Sequence, residues 1–192
     1  MKKLLQNGGA LLAPVAPVMV SCGDMENSNI ITIAWNGIIN TKPPVTYISV
    51  RPKRHSYEII KASGEFVINL TTSAMIHSAD YCGIYTGKKV DKFQKCKLTK
   101  DVSQYVKCPS VAESPLSMEC KVRDIISFGT HDMFIADIIG VSVDDTIIDA
   151  NGKIRLDKVK LAAYAHGDYF ELGRKIGTFG FSAAKKSSAK GQ

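Results

Sequence analysis

The stretch that most constrains this chain runs from Asn29 to Leu70 and reads NIITIAWNGIINTKPPVTYISVRPKRHSYEIIKASGEFVINL. Two strand-like runs flank a turn at Lys42-Pro43-Pro44. In the second, β-branched and aromatic residues dominate, with Val45, Tyr47 and Ser49 alternating with Thr46, Ile48 and Val50. That composition suits a pleated, half-buried strand. Pro52 cannot donate to a sheet ladder, and its fixed φ suits an incoming helical turn. Tyr57, Ile59, Ile60 and Ala62 then fit a short amphipathic helix that Gly64 would stop. Arg51, Lys53, Arg54, His55 and Ser56 thus gather where a strand becomes a helix. Unpaired N–H groups at a helix N-terminus and forked guanidinium donors suit a phosphate there. On residue chemistry alone, the same residues serve equally well as a solvated basic loop.

The chain has 192 residues, enough for one domain with one sizeable core. The formal net charge of +7, from 25 basic and 18 acidic residues, suits an anionic small ligand. It also permits nucleic acid, although aromatics are only 8% and do not interleave with the basic runs. Five cysteines at irregular spacing, with no CxxC, predict reduced thiols rather than a disulfide framework or a zinc site. No metal site is expected. The N-terminus begins like a signal peptide, but residues 6–9 (QNGG), Pro14 and Pro17 interrupt its apolar run. No run reaches the roughly 20 apolar residues of a membrane span. A cytoplasmic protein is the expectation, with no membrane partner.

Strand-like segments recur at residues 18–21, 30–35, 45–51 and 65–70. A helical window follows at 72–84, with Thr71 or Thr72 as N-cap and Gly83 as a stop. Residues 85–108 read as a polar, lysine-rich, irregular excursion. Two long strands at 116–128 and 133–143 are joined through Gly129-Thr130-His131-Asp132. Asn151-Gly152 signals another hairpin, and strands near 160–164 and 169–173 end the pattern. Many strands, few helices and Gly-rich turns predict a mostly β fold, an antiparallel barrel with helical excursions. One domain over residues 1–182 is expected, followed by a basic, flexible tail over 183–192.

With these pieces in order, the chain resembles the flavin reductase-like, FMN-binding split-barrel family, and within it the flavoredoxin-like branch. The resemblance rests on the ordered set TIAWNG (32–37), Pro43-Pro44, SVRPKRHSY (49–57), GEFVINL (64–70), DYCG (80–83), TGKKVDKF (86–93) and GTHDMFI (129–135). It implies a six-stranded antiparallel split barrel that binds FMN non-covalently, as a homodimer with the flavin near the interface. Residue by residue, it implies that Thr32, Ala34, Trp35 and Asn36 line the isoalloxazine and ribityl chain. It puts Ser49, Val50 and Arg51 beside the flavin, and Arg54, His55, Ser56 and Tyr57 on the phosphate side. Lys88, Lys89, Asp91 and Lys92 match a loop closing over the phosphate or ribityl end. His131 matches a histidine near the flavin or nicotinamide edge. The family commonly carries Gly-Asp-His-Asp there, and Thr130 replaces its first acid.

The resulting expectation is an FMN-dependent oxidoreductase of the NAD(P)H:flavin reductase type, in which the flavin carries the chemistry. NADH or NADPH is a candidate reductant, and backbone N–H groups over residues 36–40 are candidates to hydrogen-bond the flavin ring. The alternative is an FMN-binding electron carrier served by a redox partner protein, without its own NAD(P)H turnover. A third, from another class, is a basic nucleic-acid-binding module. No P-loop, Ser-His-Asp or Cys-His constellation is present, and neither His77 nor His166 has partners at metal-ligand spacing.

Overall fold

A computed structural model describes residues 2–4 and 6–183. The tail expected over 183–192 therefore lies, apart from Ala183, outside the described residues. Strands β1 (Val18–Gly23), β2 (Ser28–Ile33), β3 (Asn36–Thr41) and β4 (Pro44–Val50) open the fold and lead into helix α1 (His55–Ser63). Next come β5 (Glu65–Asn69), helix α2 (Ile76–Ile84) and helix α3 (Lys92–Cys96). The two-residue strands β6 (Lys100–Asp101) and β7 (Ser110–Val111) pair with each other. The long strands β8 (Leu116–Ser127) and β9 (Asp132–Val143) form a hairpin. A second hairpin, β10 (Ala162–Ala165) and β11 (Asp168–Glu171), supplies the last strands of the described chain.

Seven strands form one antiparallel sheet in the order β2-β1-β5-β8-β9-β4-β3. Its two edge strands, β2 and β3, are consecutive in the chain and separated only by Ala34 and Trp35. A sheet whose edges are joined by two residues has to roll until those edges meet at that corner, although β2 and β3 do not pair with each other. Ser49 N–H donates to Trp35 O at 2.8 Å across that corner. The expected six strands are seven because the run through residues 30–40 breaks at this corner. Counted as one kinked strand, β2 and β3 restore six.

Side chains inside the roll come from edge strand β2 and the middle strands: Val18, Val20, Ile31, Ile48, Phe66 and Phe134, with Tyr57 and Ile60 of α1 closing one end. The opposite face of β1 and β2 presents Met19 and Ile30 to a second core with Met75, Ala79, Cys82 and Phe93 of the helical layer. Period-two alternation thus buries β1 on both faces. Gly64 ends α1 as its sequence predicts: it sits in the left-handed region at φ 68° and donates to Ile60 O at 2.8 Å. Gly83 does not end α2, which runs one residue further and stops where Tyr85 turns extended. The lysine-rich excursion is less irregular than expected. Asp91 caps α3 by accepting from Gln94 N–H at 3.1 Å. Buried Glu119 accepts from the N–H groups of Gln104, Tyr105 and Val106 and so pins the following loop. Among the described residues, no helix is long and apolar enough to cross a membrane.

Candidate functional site

At the corner where the two sheet edges meet lies a cleft of about 390 Å³. The β2 side contributes Ile31, Thr32 and Ile33, and the corner contributes Ala34 and Trp35. The end of β4 adds Ser49 and Val50, followed by Arg51 and Arg54, and His131 enters from the β8–β9 turn. A second cavity of about 100 Å³ adjoins it, since Ile31 and Arg54 line both. Lys53, Arg54, His55, Ser56 and Lys92 wall this smaller cavity, and no carboxylate does.

One cation of the smaller cavity, Lys92, is held by the fold. Lys92 is only 4% exposed. Its Nζ donates to Ile30 O at 2.7 Å and Cys82 O at 2.8 Å. An ammonium has three protons, so one remains for a group in the cavity. Burial lowers the Lys92 pKa, opposed by the neighbouring thiol of Cys82. His55 is also lowered, first by burial and then by the positive charges of Lys88 and Lys92. Ser56 is fixed by Asn29, whose Nδ2 donates to its Oγ at 2.8 Å. Gly87 lies so close that an added Cβ would fall 2.1 Å from Asn29 Oδ1, so any larger residue there would displace that anchor. The first turn of α1, with its unpaired N–H groups, starts at the same wall. Buried Lys92, exposed Lys53 and Arg54, and a lining without a carboxylate give this cavity a positive character that suits an anion.

In the larger cleft, Arg51 Nε donates to His131 Nε2 at 3.3 Å, and His131 Nδ1 lies 3.1 Å from Thr130 Oγ1. A ring that accepts at Nε2 carries its proton on Nδ1, facing the Thr130 hydroxyl. Burial, then Arg51, lowers the His131 pKa and favours this neutral form. The wall opposite is built by Asp80, Gly83 and Ile84 of α2 and by Tyr164 and Tyr169 of the β10–β11 hairpin. Tyr169 donates to Asp80 Oδ1 at 3.1 Å. Burial, reinforced by that bond, pushes its phenol up to about 12.

Most of the expected residues converge here, and several do not. Thr32, Ala34, Trp35, Ser49, Val50, Arg51, Arg54 and His131 line the cleft; His55, Ser56 and Lys92 line the smaller cavity. Tyr57 is turned into the core instead, donating to Asp132 Oδ2 at 2.5 Å. Asn36 spends its amide on Ala16 O and Ile33 O, which pins the corner rather than lining the cleft. Gly37, Ile38 and Asn40 pair with β4, Ile39 sits at a bulge between them, and none of the four lines either cavity. Lys88 and Lys89 are exposed outside both walls, and Asp91 is the α3 cap. The tyrosines of the C-terminal hairpin carried no signal beyond the alternation around His166-Gly167. That pair turns tightly, with φ of 50° and 102°.

A family model described as the flavin reductase-like domain matches residues 12–173. The chain belongs to the flavin reductase-like family. Among solved structures, this family member is similar to the flavoredoxin of Desulfovibrio vulgaris (Miyazaki F). The two are 32% identical, with a TM-score of 0.88, over 96% of this chain and all of that one. The flavoredoxin from Methanosarcina acetivorans matches at 23% identity and a TM-score of 0.85, over 96% of this chain and all of that one. An FMN-binding protein from Thermus thermophilus, solved with 1-cyclohex-2-enone bound, matches at 20% identity and a TM-score of 0.80, over 93% and 99%. The last two show the shared fold alone: the split barrel of the flavin reductase-like family.

Proposed function

We propose that this flavin reductase-like protein binds FMN in the joined cavities and works as an FMN-dependent oxidoreductase. The carrying observation is the shape and charge of that pair: a carboxylate-free basic cavity, with Lys92 buried in its wall, opening into a larger cleft edged by Trp35. Lys92, Arg54, Ser56 and the first turn of α1 would hold the phosphate. Ala34, Trp35, Ser49 and Val50 would flank the ring, with Arg51 and His131 at its edge. Bound there, FMN supplies reversible two-electron redox chemistry. The chain's own residues position it, exclude water, and offer cationic Arg51 where negative charge would develop.

NADH or NADPH is the reductant this reading favours, with His131 beside the incoming reductant. The second reading, an electron carrier fed by a redox partner protein, is supported by the 32% identity to a flavoredoxin and by Thr130 in place of the acid. Thr130 faces His131 Nδ1 with a hydroxyl at 3.1 Å and leaves no carboxylate at that turn position. In either case the protein would act as a homodimer. Strand β3 forms a sheet edge carrying Ile38 and Ile39, 60% and 49% exposed, which a second copy would cover.

The visible absorbance spectrum of the purified protein, before and after heat release and filtration, tests the cofactor. A yellow protein that releases FMN is the expected result; a colourless protein that also fails to bind added FMN overturns the reading. Steady-state oxidation of NADH and NADPH with FMN present then separates reductase from carrier.

A further inference from the structure

Cys82 in α2 and Cys96 at the end of α3 face each other with their Sγ atoms 4.0 Å apart. Among the described residues, no other two thiols approach within hydrogen-bonding distance. Cys96 is also the one cysteine that is partly open, the other four being buried. Its Sγ has only the Ser78 carbonyl, at 4.0 Å, as a further neighbour of hydrogen-bonding type.

Location gives the pair its interest. Lys92 stands one helical turn before Cys96 in α3 and donates to the carbonyl of Cys82 itself. The two cysteines are 14 positions apart. The segment between them carries Tyr85, Thr86, Gly87 and Lys92, all on the wall of the smaller cavity. A bond between the sulfurs would close a loop around that wall.

We propose that Cys82 and Cys96 form a redox-responsive dithiol, which a peroxide oxidises to an intramolecular disulfide clamping the wall of the smaller cavity. The partly open Cys96 reacts first. Its sulfur attacks the peroxide O–O bond, which breaks, giving a sulfenic acid and one water. The Cys82 sulfur then attacks the sulfenic sulfur; the S–S bond forms, the S–O bond breaks, and the oxygen leaves with the remaining proton as a second water. Two thiols lose two electrons and two protons, and one peroxide is reduced to two waters. Reaching disulfide geometry requires the sulfurs to approach by about 2 Å. Burial pushes the Cys82 thiol up to about 12, which makes Cys82 the less reactive of the two and suits it to the second, resolving step. The bond removes freedom from the segment carrying Lys92 and acts on the cavity whichever anion occupies it.

Hydrogen peroxide on the full chain, followed by alkylation in denaturant and peptide mapping, tests this. The thiol count is expected to fall from five to three, with one linked peptide joining Cys82 to Cys96 that a thiol reductant reverses. Cys96→Ser, confirmed folded by circular dichroism, is expected to form no internal link and to keep its remaining thiols. Cys82→Ala should leave Cys96 as a sulfenic acid trappable by dimedone. Backbone amides over residues 83–95 should exchange more slowly in the oxidised protein and recover on reduction. Recovery of both cysteines unlinked, or of Cys96 only over-oxidised or bridged between molecules, overturns the pairing. A link that leaves amide exchange unchanged overturns its action on the cavity.

Discussion

Arg54 lines both cavities, so it should matter more to a phosphorylated flavin than any other exposed cation. Arg54→Ala is expected to weaken FMN binding by about 1.5–3 kcal/mol, the range for a hydrogen bond to a charged group. Isothermal titration calorimetry reads this directly, and an unchanged dissociation constant removes Arg54 from the site. His131 makes a different prediction. Burial and Arg51 hold its pKa below 6.5 in the folded state, so the fold favours the neutral ring. The stability this contributes is complete above the unfolded value and is lost as pH falls below about 6.5 toward the folded pKa. Urea midpoints should therefore drop between about pH 7 and pH 5, and drop less in His131→Gln. A residual slope is expected, because His55 is shifted in the same direction. An equal slope in the two proteins would show that His131 is not held this way. At this scale, the sequence shows residue types but not how each side chain is already committed. Arg54 and Ser56 were readable as anion-site candidates, and both line the smaller cavity. Tyr57, in the same run, was not readable as a core residue, because its partner Asp132 lies 75 positions away.

That Tyr57–Asp132 bond operates between elements. It ties α1 to the turn of the β8–β9 hairpin, and Asp132 also accepts from Ser127 Oγ at 2.7 Å. The Tyr57 bond, then that of Ser127, holds the Asp132 carboxyl below its usual range. Tyr57→Phe should cost about 1–3 kcal/mol, since it leaves a buried carboxylate short of a donor. FMN affinity should stay unchanged. Urea unfolding and FMN titration of the one variant check both halves, and a lost affinity would return Tyr57 to the binding site. Elements with strong local signals were legible: the β8–β9 hairpin, α1 with its glycine stop, and the strand ahead of Pro52. The excursion over residues 85–108 was not, because its order comes from distant groups. Glu119 fixes residues 104–106, and Lys92 reaches back to β2. The walls supplied by Asp80, Tyr164 and Tyr169 were invisible for the same reason.

The sheet order determines how the whole molecule behaves. Because β3 ends the sheet with its outer edge unpaired, the homodimer proposed above makes Ile38 a sensitive position. Sedimentation velocity is expected to show a dimer, and Ile38→Glu is expected to shift it to monomer by placing a charge in an apolar contact. A dimer unmoved by Ile38→Glu would place the interface elsewhere. The barrel class followed from strand number and turn chemistry. The strand count did not, because periodicity cannot show a kink that lasts only from Ala34 to Trp35. That kink is the fastening of the hoop. The cleft sits on it, so a chain in which the two sheet edges have not yet met has no complete site. A ligand lodged there would hold edge strand β2 against the end of β4 across the corner and resist reopening of the ring. Occupancy should then be felt as tightness across the barrel, out to strands β5 and β8, which line neither cavity.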